Sequence, residues 1–391
     1  MERLRGPEIL AQLETERDRL IRFLRDLVEA ESPSSVPETQ RRVRSVLATA
    51  LEELGFHTQP LHGRVTGGHL YGRPRHRRRG AGVQLLIGHY DTVWPVGTLA
   101  GRPFEVDDNV IRGPGVFDMK GGLAQIVFAL TALRALSLEP ALTPVIFVNA
   151  DEEIGSRDSG RHVRRLARIA RRAFVLEPSM GVDGRLKTAR KGVARYTVTV
   201  HGRAAHAGLD PEGGASAILE LSHVIQKLFA LNDAERGVTV NVGTVDGGMR
   251  PNVIAPLSQA VIDVRVPTAG DAERVDGAIM SLAPETPGVR LRVEGGFGRP
   301  ALERTPRNRA LWEAARTHGA ALGLDLAEAR AGGGSDGNTT SLYTATLDGL
   351  GPVGDGAHAE HEFLYLDRTL ERAALLGSLL LAPDIGEEEP S

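Results

Sequence analysis

A histidine and four acids fall where their side chains could act together: His89, Asp118, Glu152, Glu153 and Glu177. His89 follows the apolar run Gln84-Leu85-Leu86-Ile87-Gly88, with Asp91 two residues on. Residues two apart on an extended segment share a face, so the Asp91 carboxylate can fix the imidazole tautomer and raise its basicity. Taken alone, the pair reads as readily as a satisfied structural histidine. Asp118 lies in the loop Gly113-Pro114-Gly115-Val116-Phe117-Asp118-Met119-Lys120-Gly121-Gly122, where a lone aspartate would normally be a helix cap. Asp151-Glu152-Glu153 follows the run Val145–Asn149, and adjacent acids at a strand end are costly unless solvated or neutralised. Glu177 follows Ala173-Phe174-Val175-Leu176, which Pro178 terminates. Each acid alone reads as a surface carboxylate. Together they sit at strand ends and helix starts, the carboxyl edge where an open α/β sheet binds ligands. A histidine with several carboxylates and no sulfur suits zinc or a similar divalent ion. More carboxylates than one metal needs, plus a spare acid, suit a two-metal hydrolase with ions ~3.5–4 Å apart.

The elements that must position these residues are read from periodicity. Residues from about Pro7 to Leu54 predict two helices, broken at Ser32-Pro33-Ser34-Ser35. Strands are expected at 84–88, 145–148 and 173–176, and helices at 123–136 and 161–172. Continuous apolar strands between helices indicate a mostly parallel sheet covered on both faces. From Val193 the texture changes to strict alternation. The order strand 193–200, helix 215–231, strands 238–245 and 259–266, helix 272–282, strand 289–293 suggests a ferredoxin-like insert. A helix at 308–322, a glycine-rich loop Gly332–Gly337 and a C-terminal helix at 367–381 follow, and the tail from Gly386 reads as frayed.

Composition narrows the chemistry. The chain has 391 residues and no cysteine, which excludes disulfide scaffolds, thiol nucleophiles and thiolate metal sites. Any transition metal must be held by His, Asp and Glu. With 47 Lys+Arg against 50 Asp+Glu, the formal net charge of -3 argues against a nucleic-acid binder. Two basic runs are read as a hairpin tip (Arg73–Arg79) and the solvated face of a helix (Arg161–Arg172), since no aromatics interleave for base stacking. The charged N-terminus is unlike a signal peptide, and no uninterrupted apolar run nears ~18 residues. A cytoplasmic protein without a membrane partner is the expectation.

The motifs then become specific. Gly88-His89-Tyr90-Asp91-Thr92-Val93, the loop Gly113–Gly122, Asp151-Glu152-Glu153-Ile154-Gly155-Ser156 and Leu176-Glu177-Pro178 occur in that order. The sequence resembles the aminoacylase / acetylornithine deacetylase / glutamate carboxypeptidase family of two-zinc metallopeptidases, and within it the folate-cleaving glutamate carboxypeptidases. The resemblance implies a zinc-peptidase-type α/β sheet with an inserted ferredoxin-like lid and dimerisation domain. It implies two Zn2+, with Co2+ or Mn2+ as substitutes. Asp118 would bridge the ions, His89 and Glu177 would hold one, and Glu153 with a distal histidine the other. Asp91 would orient His89, and Glu152 would be the general base that activates the metal-bridging water. The distal histidine is His358 or His361 in Gly356-Ala357-His358-Ala359-Glu360-His361-Glu362-Phe363; the family pattern A-H-x-x-x-E-[YF] selects His358.

The resemblance extends to substrate contacts. Gly202-Arg203-Ala204-Ala205-His206-Ala207-Gly208 resembles a family loop whose histidine, here His206, reaches the reacting carbonyl, often from the partner subunit. Asn252 and Arg265 match positions that contact a substrate carboxylate or the oxyanion, though Arg265 could equally pair with an acid on its own sheet. Arg299 resembles an arginine that binds a C-terminal glutamate, a task suited to guanidinium. Gly333, Gly334 and Ser335 lie in a loop whose amides can receive a carboxylate. The expected domains are a discontinuous catalytic domain, 1–189 and 297–391, and a lid at 190–296 whose closure completes the site. The expected activity is hydrolysis of the amide bond of a C-terminal, glutamate-like amino acid, by a homodimer; N-acyl-amino-acid deacylation is the alternative. Two rivals stand further off. Gly333-Gly334-Ser335-Asp336-Gly337 matches a serine-hydrolase G-x-S-x-G, with Asp355 and His358 following in order. It lacks a buried strand at 327–331 and leaves the acids unexplained. A non-catalytic binding module would be free to lose Glu152, which is present.

Overall fold

The computed structural model describes residues 4–76 and 80–384. Three helices open the chain: α1 (Gly6–Thr15), α2 (Arg17–Glu29) and α3 (Gln40–Glu53). The sequence suggested two; the first is split at Glu16, whose backbone leaves the helical region. Then come β1 (Phe56–Leu61), β2 (His69–Pro74), β3 (Val83–His89), β4 (Glu105–Asp107), β5 (Val110–Arg112), α4 (Gly121–Ala135), β6 (Thr143–Asn149), α5 (Gly160–Ala167), β7 (Ala170–Val175) and β8 (Leu186–Arg190). The insert holds β9 (Gly192–His201), α6 (Ala217–Phe229), β10 (Thr239–Gly247), β11 (Leu257–Val266), α7 (Ala269–Met280) and β12 (Arg290–Arg299). After it follow α8 (Pro306–Ala321), β13 (Glu328–Ala331), α9 (Asp336–Thr340), β14 (Ala345–Leu347), β15 (Gly354–Asp355), β16 (Phe363–Tyr365) and α10 (Leu366–Leu381). The frayed tail expected from Gly386 lies outside the described residues.

The chain divides into two compact units. One comprises the chain up to Thr188, Arg304–Ala331 and the chain from Ser335; the other comprises Ala189–Glu303 with Gly332–Gly334. The first is built on a six-stranded sheet in the order β1-β2-β6-β3-β7-β14. The four strands β6, β3, β7 and β14 are parallel, while β1 and β2 run against their neighbours. Alternation along β3 explains the layering. Leu86 joins the larger core with Ile126, Phe128 and the helices α1, α4 and α10, while Leu85 and Ile87 face Val163 of α5. The run Val116–Ala135 is long and apolar enough to span a membrane, but 94% of it is buried in this core.

Two expectations are corrected here. The basic run Arg73–Arg79 is no hairpin tip, because β2 and β3 are not neighbours: β6 lies between them. Residues 77–79 of that run lie outside the described residues. The helix expected over 161–172 stops at Ala167, and Arg172 sits on β7, almost completely buried. Its guanidinium donates to the Gln84 side chain and to the carbonyls of Leu379, Ala382 and Pro383. It thus fastens the end of α10 rather than a solvated face.

The second unit is a four-stranded antiparallel sheet in the order β10-β11-β9-β12, with α6 and α7 packed on it. This is the ferredoxin-like order anticipated from the alternation. Ala194, Tyr196, Val198 and Val200 of β9 are all buried, with the intervening residues more exposed. Back in the first unit, a small sheet unforeseen in the sequence, β15-β16-β5-β4, ties the segment before Gly113 to that around His358.

Candidate metal centre

The central strands run in the order β6-β3-β7 and end together. β3 ends on His89, β6 leads into Asp151-Glu152-Glu153, and β7 leads through Leu176 into Glu177. Parallel topology therefore sets His89 between two acidic segments at the carboxyl edge. Asp118 enters from the turn before α4. Gly115 opens that turn at φ 77°, and a Cβ there would meet Thr92 Cγ2 at 2.8 Å. His358 stands in the connection from β15 to β16.

These residues form two ligand sets that share Asp118. His89 Nε2 lies 3.3 Å from Asp118 Oδ1 and 3.4 Å from Glu177 Oε1. His358 Nε2 lies 3.0 Å from Glu153 Oε2 and 3.5 Å from Asp118 Oδ2. Each oxygen of Asp118 thus faces a different imidazole. Potential ligand atoms of His89, Asp118 and Glu153 lie within 4.8 Å of one another, as do those of His89, Glu152 and Glu177. His361 and His358 are both exposed and outside these two groups; His358 is set apart by its approach to Glu153 and Asp118.

The donor set fits a pair of divalent cations. His89 Nε2, Asp118 Oδ1 and Glu153 Oε1 are buried without a hydrogen-bond partner, whereas buried polar groups are ordinarily paired. Two imidazoles (His89, His358) and three carboxylates (Asp118, Glu153, Glu177) with no thiolate favour zinc or a comparable ion. Electrostatics agree. Burial lifts the Glu153 pKa to about 7 against the opposing pull of His358, and Asp118 adds to the rise. Burial would likewise raise Asp118, but His358 and His89 outweigh it and hold the carboxyl well below its usual range. Hydrogen bonds to Asp118 and Glu153 carry His358 up to about 10. Burial disfavours the charged form of His89, yet Asp118, Asp91 and Glu177 raise its pKa well above the usual value. The two imidazoles hold their protons more tightly than usual, and cation binding would displace them.

Asp91 acts differently from expectation. His89 Nδ1 lies 2.9 Å from the backbone oxygen of Asp91 and 3.5 Å from its carboxylate. The carboxylate instead accepts the amides of Glu152 and Glu153 and the Ser34 hydroxyl. Asp91 therefore fixes both the His89 tautomer, leaving Nε2 for a metal, and the backbone carrying the two glutamates. Glu362 was quoted only as part of a pattern, yet it organises the Asp118 turn. Its Oε2 accepts Gly115 N–H and Trp94 Nε1–H at 2.8 Å each; its Oε1 accepts Phe117 and Asp118 N–H at 3.0 Å each. Burial pushes the Glu362 pKa up, and the hydrogen bonds from Gly115, Asp118 and Trp94 pull the other way, since four donors suit the ionised carboxylate. Lys120, also overlooked, is buried with Nζ 3.1 Å from the Ala30 carbonyl, and desolvation pushes its pKa down to about 7.

Within the second unit, His206 is exposed and its Nδ1 accepts the N–H groups of Gly208 and Leu209. That pattern assigns the neutral proton to Nε2, a donor facing outward. The backbone of Asn252 accepts the Ala207 amide, so the His206 loop is paired to the Asn252 segment. Arg265 is committed to its own strand, with a bidentate pair to Asp263 at 2.8 and 3.1 Å; this corrects its assignment to substrate. Arg299 is buried with Cδ against Gly334, and Arg190, which the sequence reading passed over, donates to the carbonyls of Gly333 and Gly334.

Ser335, in the first unit, needs a second correction. Its amide donates to Asn338 Oδ1, so it cannot receive a substrate carboxylate. Its fully buried hydroxyl donates to Asp348 and accepts the Gly337 amide as the cap of α9. That geometry also removes the serine nucleophile. The segment 328–331 does form a strand, β13, but a half-buried one in a two-stranded ladder with β8.

Carboxylate-rich candidate ligand sets at the strand ends of such a sheet, in a chain that also carries a ferredoxin-like insert, define a metal-dependent hydrolase. Residues 85–382 match the peptidase family M20/M25/M40, and the chain belongs to that family. Carboxypeptidase G2 of Pseudomonas sp. (strain RS-16) is 28% identical over 381 residues, covering 95% of this chain and 90% of its own. An acetylornithine deacetylase of Myxococcus xanthus is 32% identical over 222 residues, 53% of this chain and 55% of its own. Among solved structures, aminopeptidase PepT of Bacillus cereus superposes with a TM-score of 0.76 at 22% identity, covering 93% of this chain and 98% of that one. The YXEP protein of Bacillus subtilis, described as a dinuclear metal-binding peptidase, gives 0.67 at 16% identity, with 94% and 98% covered. These likenesses support the fold, and the chain is a metal-dependent peptidase or amidohydrolase of this family.

Proposed function

We propose that this chain is a two-zinc carboxypeptidase that removes a C-terminal, glutamate-like amino acid by hydrolysing its amide bond. One observation carries the two-ion reading: each Asp118 oxygen faces a separate imidazole, and each imidazole faces a second carboxylate. His89 and Glu177 would hold one ion, Glu153 and His358 the other, and Asp118 would serve both. When bound, the ions supply Lewis acidity and a nucleophile at neutral pH. Glu152, in the ligand group with His89 and Glu177, takes the proton of the attacking water and returns it to the leaving amine nitrogen as the C–N bond breaks. Asp91 keeps Glu152 in place through its amide. His206, with its proton on Nε2, donates to the oxyanion, and Arg299 with Gly333 and Gly334 receives the free carboxylate.

Similarity to carboxypeptidase G2 along nearly both full lengths supports release of a C-terminal residue. The deacetylase relative keeps N-acyl-amino-acid deacylation as a second reading. A homodimer through the insert is supported by the exposed Ile218, Leu219, Phe229, Val245 and Met249 around α6 and the open edge of β10. The test is a panel of dipeptides, folates and N-acyl amino acids with zinc-loaded protein, identifying the amino acid released. Release of glutamate from peptide or folate substrates is expected. Turnover of acetylated amino acids alone would replace the carboxypeptidase reading with the deacylase one.

A further inference from the structure

We infer that Arg102 and Trp94 are positioning residues for the two-ion centre, Arg102 acting on His358 and Trp94 on Asp118. The inference rests on the two-ion reading above. His358 is weakly held by its own surroundings. Its side chain is 53% exposed, so packing does not fix it, and its φ of 62° lies where a non-glycine residue is disfavoured. Two backbone hydrogen bonds within the loop, Ala359 N–H to the Gly356 carbonyl at 2.8 Å and Glu362 N–H to the Ala359 carbonyl at 3.1 Å, shape that turn, and one side chain from elsewhere in the chain joins them. Arg102 Nη2 donates to the carbonyl of the next residue, Ala359, at 3.2 Å. The guanidinium is itself fixed, its Cζ 4.1 Å from the centre of the Trp94 ring, a cation–π stack. The same indole donates Nε1–H to Glu362, which holds the Asp118 amide. One stacked pair thus touches the supports of two ligands, at Ala359 and at Glu362. The segment bearing the pair is anchored independently, because Glu31 accepts the amides of Gly97 and Leu99.

The arrangement divides the two residues by effect. Arg102 hydrogen-bonds the His358 loop directly and meets the Asp118 supports only through its stack on Trp94, so its loss should weaken the ion held by His358 and Glu153 more than the other. Trp94 reaches the bridging Asp118 through Glu362, so loss of its N–H should weaken both ions. A role confined to fold stability would move neither binding constant of the folded protein.

The experiment titrates Zn2+ into metal-free wild type, Arg102→Ala, Arg102→Lys and Trp94→Phe by calorimetry, with Co2+ absorption as a second readout and circular dichroism as the folding check. Supporting partners of metal ligands typically contribute 10–100-fold in affinity. Arg102→Ala should lose about that factor at one site and clearly less at the other, with kcat regained at saturating zinc. Arg102→Lys, which keeps a cation and a donor, should recover part of the loss. Trp94→Phe should weaken both sites. Wild-type binding of both ions by Arg102→Ala, or equal weakening of the two, overturns the inference. If wild type itself binds fewer than two ions, the two-ion reading fails, irrespective of Arg102.

Discussion

Glu362→Gln is a nearly isosteric change whose consequences can be worked out from its hydrogen bonds. The carboxylate has two donors at each oxygen: Gly115 and Trp94 at one, Phe117 and Asp118 at the other. An amide has one acceptor oxygen and one NH2 group. Whichever way it lies, two of the four donors will face another donor in a buried pocket. A buried donor left unsatisfied costs about 1–3 kcal/mol, so the substitution should remove about 2–6 kcal/mol. Native stabilities are typically about 5–15 kcal/mol, so this is a substantial share. No cavity contributes, since the volume is unchanged. Urea unfolding of metal-free wild type and variant measures the difference, and zinc titration reads the effect on the Asp118 turn. A variant within about 0.5 kcal/mol of wild type, the ordinary range for a surface change, would refute the claim that Glu362 anchors this turn as an ionised acceptor.

Other consequences are as concrete. His358→Ala should lose one ion and most activity, while His361→Ala, altering an exposed side chain, should keep both; metal analysis of the purified variants decides. Ser335→Ala should remain active and chelator-sensitive while losing about 0.5–2 kcal/mol with the α9 cap; chelator-resistant activity that vanishes in this variant would reinstate the serine. His318 is buried against Ser378, and desolvation, then the charge of Arg172, lowers its pKa from 6.5. The unfolded chain therefore binds that proton more readily, so stability present above pH 6.5 is lost as pH falls below it, at no more than about 1.4 kcal/mol per pH unit. His318→Gln should flatten the fall in urea midpoint between pH 6.5 and 5; an unchanged slope counts against this.

What was legible in the sequence follows from how local each signal is. Apolar runs ending in His89, Asp151-Glu152-Glu153 and Glu177 are contiguous, and parallel strands carry such endings to one edge, so the gathering of these side chains could be read directly. Alternation along 193–200 likewise announced the insert, because one face of β9 is buried. The choice of His358 came from a motif; its reason, a hairpin of β15 and β16 facing Glu153, lies in pairing across the chain. Arg172 read as one more arginine of a basic stretch, since nothing nearby shows that three carbonyls of the C-terminal segment meet it. Arg265 and Ser335 were misassigned for the same reason: their partners Asp263, Asn338 and Asp348 take up the groups that substrate was expected to use. Glu362 shows the limit most clearly, as its four donors come from segments more than 240 positions away.

The central claim is that Glu152 moves a proton at a centre of two ions it does not itself hold. Glu152→Gln tests it most directly, through metal content and turnover measured on the same preparation. The account predicts two bound ions, as in wild type, with kcat reduced by roughly 10²–10⁴-fold, the usual contribution of a general base. Full turnover in that variant, or loss of an ion with the carboxylate, would contradict it.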